Sequence, residues 1–113
     1  MVSSMKNYQP LQEIVAVLAD KARAEKIILF GSHAAGTAGP DSDVDLLVVW
    51  NGGNGLRHIE RRVELRRMLR DFVSVPMDIL TYSTQELEEI LLEPDCFTAQ
   101  IVREGKVLYE KVA

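Results

Sequence analysis

The stretch FGSHAAGTAGPDSDVDLL, Phe30–Leu47, sets glycines, serines and three aspartates between two apolar runs. To its left, KIILF (Lys26–Phe30) is short, apolar and β-branched, and reads as a buried strand ended by Gly31. To its right, DVDLLVVW (Asp43–Trp50) reads as a second strand. Strand side chains alternate, so Asp43 and Asp45, two residues apart, are expected on one face. Close carboxylates repel, and a fold keeps them together where something positive comes among them.

Outward from this stretch the chain alternates helices and strands. Leu11, Ile14, Val15, Leu18 and Ala22 recur at helical spacing and predict a helix from Pro10 to about Ala24. Pro10 suits the first turn, where its missing N–H costs nothing. Ser32 to about Gly36 is expected as a short helix and TAGPDS as a turn, with Asp41 in an ordinary turn role. NGGNG is a loop, and Leu56 to about Phe72 a helix whose Met68, Leu69 and Phe72 are assigned to the core. PMDILTY (Pro76–Tyr82) is the third strand, and Thr84 the expected N-cap of QELEEILL. Pro94 closes that helix, Cys96–Glu104 forms another with Gly105 as its C-cap, and KVLYE (Lys106–Glu110) is a last strand. The pattern predicts an α/β (α+β) fold, a small mixed, partly parallel sheet of three to four strands with flanking helices. Residues 1–113 are expected as one domain.

Composition narrows the class. Hydrophobic residues make up 47% and charged residues 27%, globular rather than disordered values. No apolar run approaches the roughly 20 residues needed to cross a bilayer, and MVSSMKNYQP has no apolar signal core. The single cysteine, Cys96, excludes an intrachain disulfide and a cysteine zinc cage, and is expected to be a small buried hydrophobe. A cytoplasmic location follows as an expectation. The net charge is −4, yet RHIERRVELRRMLR (Arg57–Arg70) carries six arginines and two glutamates. The remainder is strongly acidic, which disfavours nucleic acid as a partner for the whole surface.

The carboxylates assemble into a candidate site. Asp78 also lies near the start of a strand, so it would converge with Asp43 and Asp45 if the strands are neighbours. Hard oxygen ligands suit Mg²⁺, which takes one or two carboxylates and leaves positions for substrate phosphates. Gly31 permits close backbone approach, and with Ser32 it stands where amides can face a phosphate. Competing motifs fail on spacing. A P-loop needs lysine after its second glycine, and Gly36 precedes Thr37. An EF-hand loop begun at Asp41 needs glycine sixth and glutamate twelfth, and finds Leu46 and Gly52. The turn also lacks the dinucleotide fingerprint. His33 and His58 have no ligand spacing.

Gly31-Ser32, then Asp43-x-Asp45 on a strand, then Asp78 on a later strand resembles the DNA polymerase β-type nucleotidyltransferase superfamily. The run GSHAAGTAGPDSDVDLLVV is similar to that of its minimal nucleotidyltransferases, over nearly the whole chain. The resemblance implies that Gly31 and Ser32 hold nucleotide phosphates and that Asp43 and Asp45 bind two Mg²⁺ ions. Asp78 would share a metal and help to deprotonate the attacking hydroxyl. Minimal members often serve as antitoxins beside HEPN-domain toxins; some transfer AMP from ATP to a tyrosine of the toxin, and others mainly mask it. This chain has Ala35 where the family commonly carries the arginine of G-S-x-A-R-G.

The arginine helix stays divided. Arg57, Arg61 and Arg67 each have Glu60 or Glu64 three residues away, whereas Arg62, Arg66 and Arg70, at i, i+4 and i+8, do not. A solvated face is one reading, and contact with an acidic partner protein or with nucleotide phosphate the other. Two functions remain open. One is an Mg²⁺-dependent nucleotidyltransferase acting on a protein hydroxyl; the other is an interaction module that neutralises a toxin by binding it. Addition of nucleotides to RNA is a third, supported only by the Arg62 face.

Overall fold

The computed structural model describes residues 9–39 and 42–112. The expected turn role of Asp41 lies outside the described residues. In chain order the elements are α1 (Gln9–Asp20), β1 (Lys26–Phe30), α2 (Gly31–Ala35), β2 (Val44–Val49), α3 (His58–Arg70), β3 (Met77–Tyr82), α4 (Thr84–Ile90), α5 (Phe97–Glu104) and β4 (Lys106–Glu110).

The four strands form one mixed sheet in the order β3-β2-β1-β4. β1 runs antiparallel to both β2 and β4, and β2 runs parallel to β3. A parallel pair needs a crossover, and α3 supplies it. The central position of β2 explains its nearly continuous apolar run: Val44 and Leu46 to Val49 are all buried, and only Asp45 interrupts them.

Alternation divides the sheet into two faces. Ile27, Leu29, Val44, Leu46, Val48 and Ile79 pack against Leu11, Ile14 and Leu18 of α1 and Leu65 and Leu69 of α3. Ile28, Leu47 and Val49 face the other way, against Ile101 of α5, with Phe30, Leu80, Tyr82 and Leu87 partly buried around them. The first face is the thicker core. The second is covered by short helices and thins toward the end of the sheet where β1 finishes and β2 and β3 begin.

Several expectations are corrected. α1 stops at Asp20, short of Ala24, because Arg23 takes a left-handed conformation (φ 57°) and the Ala24 N–H closes back onto Leu18 O at 3.0 Å. That bond closes a loop of seven residues, with arginine in the left-handed position where glycine is usual. The cap of α4 is Ser83, not Thr84. Ser83 Oγ accepts from the Glu86 N–H (3.1 Å), and Glu86 Oε1 accepts from the Ser83 N–H (2.8 Å), a reciprocal capping box. Thr84 instead ties the helix to the loop after β2. Its N–H donates to Asn51 Oδ1 (2.8 Å) and its hydroxyl accepts from Asn51 Nδ2 (3.1 Å). Cys96 is half-buried rather than a buried hydrophobe. It caps α5, its sulfur accepting from the Ala99 N–H at 3.4 Å. Of the three residues assigned to the core at the end of α3, Leu69 is buried and Met68 partly so, while Phe72 is exposed beneath Lys21 Nζ.

Candidate active site

The strand register brings the predicted residues together. Phe30 pairs with Asp45 across β1 and β2, and Asp45 pairs with Asp78 across β2 and β3. Residues directly opposite in a sheet share a face, so Phe30, Asp45 and Asp78 form one row across the end of the thinner side. Asp43 is expected on the strand but lies just before it, exposed, and close enough for its charge to act on Asp45.

Gly31 follows Phe30 and is built into this row. Its φ is +75°, a region that costs a residue with a side chain roughly 1–2 kcal/mol. A Cβ there would also overlap the Asp45 carboxylate. Glycine at this position therefore serves two ends: it turns the chain from β1 into α2, and it leaves room for Asp45 beside the backbone. Ser32 is half-buried in the next position. α2 ends at Gly36, whose left-handed conformation lets its N–H reach Ser32 O.

The electrostatics are those of crowded anions. Burial raises the Asp45 pKa above the ordinary carboxylate range, and the charges of Asp78 and then Asp43 raise it further, with His33 opposing them. His33 itself sits over the loop before β2, its Nε2 3.3 Å from Ser42 O. Asp78 has a cationic neighbour: Arg62 Nη2 of α3 lies 3.6 Å from Asp78 Oδ1, both side chains about half exposed. Arg66 Nη2 donates to Met77 O at 2.8 Å, along the outer edge of β3. The row of Arg62 and Arg66 therefore faces the start of β3 rather than standing without partners. Arg70, one turn further, is exposed and lines a hollow with Asp43, Arg66 and Pro76.

The residues fit a divalent cation. Asp45 and Asp43 supply hard oxygens whose mutual repulsion a cation would relieve. Among the described residues no three acidic, histidine or cysteine side chains are grouped so as to hold a metal ion. An open carboxylate pair fits Mg²⁺, which keeps most of its positions for water and phosphate.

Sequence reasoning missed two features. Arg61, expected beside Glu64 three residues away, is buried and bonds Glu86 of α4 instead. Its position between Ile59 and Val63 on a charged helix offered no signal, because the partner is 25 residues away. Beside Asp45, a cavity of about 410 Å³ opens between α2 and α5, lined by Phe30, Gly31, Ala35 and Phe97 among others.

A four-stranded mixed sheet with paired carboxylates beside a Gly-Ser turn defines a nucleotidyltransferase fold, and comparison with known proteins agrees. Residues 12–112 match the profile of the polymerase beta nucleotidyltransferase family, and the chain belongs to that family. A candidate protein adenylyltransferase of Methanocaldococcus jannaschii is 28% identical over 99 residues, covering 78% of this chain and 98% of the relative. A candidate nucleotidyltransferase from Sulfolobus solfataricus, solved at 1.40 Å, superposes with a TM-score of 0.61 at 20% identity, covering 97% of this chain and 86% of that one. A toxin–antitoxin structure with AMP-PNP superposes with a TM-score of 0.60 at 27% identity, covering 89% of this chain and 73% of that chain. Among the described residues no helix is long and apolar enough to cross a membrane.

Proposed function

We propose that this protein is an Mg²⁺-dependent nucleotidyltransferase that moves AMP from ATP to a protein hydroxyl, as the antitoxin of a HEPN-type toxin. The observation that carries the reading is the row of Asp45 and Asp78 across β2 and β3, with Gly31 cleared of side chain beside Asp45. The adenylyltransferase relative and the toxin–antitoxin neighbour with AMP-PNP support the nucleotide and the partner.

In this reading Gly31 and Ser32 hold the phosphates, and Asp43 and Asp45 hold the cation that carries them. Bound Mg²⁺ would neutralise the triphosphate and stabilise charge on the attacking and leaving oxygens. Asp78 stands on the next strand, where the acceptor hydroxyl can approach. The hydroxyl oxygen forms a bond to the α-phosphorus as its proton passes to Asp78. The bond from that phosphorus to the bridging oxygen breaks, and pyrophosphate leaves with the electron pair. The Arg62–Asp78 contact is long and half exposed, worth at most about 1 kcal/mol, so it can be given up when Asp78 turns to metal or substrate. Arg62, Arg66 and Arg70 then offer positive charge to an acidic toxin surface beside the site.

The second reading is an interaction module that masks the toxin without chemistry. Ala35, in place of the family's usual arginine, favours it. Calorimetry with ATP, with and without Mg²⁺, together with transfer of labelled AMP to the protein encoded beside this one, separates the two. Mg²⁺-dependent heat and a labelled partner are expected. Binding of the partner with no label under any nucleotide would hand the function to the masking module.

A further inference from the structure

The cavity between α2 and α5 adjoins the phosphate and metal residues but is unlike them in character. Phe30, Ala34, Ala35 and Phe97 give it apolar walls, and Gln100 and Glu104 stand at its polar edge. It shares Gly31 and Asp45 with the candidate active site, so a ligand whose phosphates lie at those residues can reach into it. It lies on the Phe30 side of Asp45, away from Asp78, and so leaves the acceptor's approach free. Its volume of about 410 Å³ is in the range of small-ligand sites, roughly 300–1,000 Å³.

Phe97 is the informative residue. It is 63% exposed at the first position of α5, although a large aromatic there gains nothing for the fold by facing water. The Phe30 ring meets it edge-to-face, centroids 6.1 Å apart and planes at 83°, which holds the exposed ring in place. A fixed, solvent-facing aromatic beside a phosphate site is a stacking platform for a base. Ala35 ends at Cβ and contributes wall without filling the space. At the polar edge the Gln100 amide nitrogen donates to Glu104 Oε1 at 3.3 Å. That bond uses the amide nitrogen, so the acceptors remaining at this edge are the Gln100 carbonyl oxygen and the second Glu104 oxygen.

We infer that this cavity seats the nucleobase of the bound nucleotide, stacked on Phe97, and that its acceptor-lined edge selects bases bearing an exocyclic amino group. The inference rests on the proposed nucleotide site. It explains how a chain this small can add base affinity to phosphate affinity, and it predicts that ATP binds more tightly than UTP, whose corresponding group is a carbonyl.

The test compares Mg²⁺–ATP, Mg²⁺–UTP and Mg²⁺–tripolyphosphate by calorimetry on the wild-type protein, Phe97→Ala and Phe97→Tyr. Tripolyphosphate reports the phosphate and metal residues alone. Loss of a base–aromatic stack is expected to weaken ATP binding by about tenfold in Phe97→Ala. Tripolyphosphate should bind Phe97→Ala as it binds the wild type, and Phe97→Tyr should retain ATP affinity. If tripolyphosphate binds but Phe97→Ala leaves ATP affinity unchanged, the base seat is wrong and the phosphate site stands. Equal weakening of ATP and tripolyphosphate would also overturn it, as a structural effect of the substitution. ATP and UTP of equal affinity would remove the selectivity. A wild-type protein that binds none of the three would overturn both this inference and the nucleotide site on which it rests.

Discussion

Replacing Arg61 with methionine keeps a long apolar stem and removes only the guanidinium. That group joins three pieces of chain. Its Nε donates to Gly53 O (3.1 Å) and Leu56 O (3.0 Å) in the loop after β2, and its Nη1 donates to Glu86 Oε1 (2.5 Å) in the first turn of α4. The ion pair holds the Glu86 carboxyl down at about 2, with the Ser83 N–H assisting. A shift of that size corresponds to roughly 3 kcal/mol. Glu86 is 32% exposed, so solvent screening reduces its share to about 1–2 kcal/mol. The single Nε–H that the two loop carbonyls share adds about 1 kcal/mol, since Gly53 O keeps the Leu56 N–H. Arg61→Met should therefore destabilise the protein by about 2–3 kcal/mol and lower its melting temperature by roughly 8–15 °C. The pH dependence has a definite sign. The folded carboxyl titrates below the unfolded one, so the ion pair stabilises fully above pH 4.5 and its contribution fades as pH falls toward 2. Urea unfolding of both proteins from pH 7 down to pH 3 should show the gap narrowing below pH 4.5. A loss below about 0.5 kcal/mol at pH 7 is what an ordinary surface arginine gives, and would refute the staple. A large loss that does not change with pH would leave the carbonyl bonds and remove Glu86 from the account.

The remaining expectations concern the site. Asp45→Asn should abolish Mg²⁺–ATP binding yet melt above the wild type without ligand, because it removes a half-buried charge held among like charges; a lower melting temperature would contradict the crowding. Asp78→Asn should keep most Mg²⁺–ATP binding and lose transfer by ~10²–10⁴-fold, as general-base assistance typically contributes; single-turnover transfer at the wild-type rate would refute its role. Gly31→Ala should lose about 1–2 kcal/mol of stability and weaken metal binding, since its Cβ displaces Asp45; unchanged calorimetry with Mg²⁺–tripolyphosphate would show that the close approach is dispensable. Reversing the charge of Arg62, Arg66 and Arg70 should slow association with the proposed toxin partner and flatten its salt dependence, measured by surface binding kinetics; an unaffected triple variant removes that face from the proposed interface.

The local pattern decided much of this protein before any contact was known. β-branched runs punctuated by Gly31 and the NGGNG loop defined β1 and β2, and the two-residue spacing of Asp43 and Asp45 marked the start of β2 as a candidate site. These are properties of neighbours in the chain, so the chain shows them. Even a cap could be misplaced by one residue, Thr84 for Ser83, because both hydroxyls are adequate acceptors and only Asn51, 33 residues away, engages one of them. Strand order belongs to tertiary structure. Nothing local says that β2 lies beside β3 in parallel, and only that register sets Asp45 against Asp78. The arginines make the same point. A helix read alone sets Arg61 beside Glu64 and leaves Arg62 and Arg66 without a partner. Folded, α3 crosses between β2 and β3, and its rotation buries Arg61 on Glu86, turns Arg62 to Asp78 and lays Arg66 along the edge of β3. A side chain's charge is written in the sequence. The partner it meets depends on which helix face the core takes, and that follows from how the whole sheet is covered.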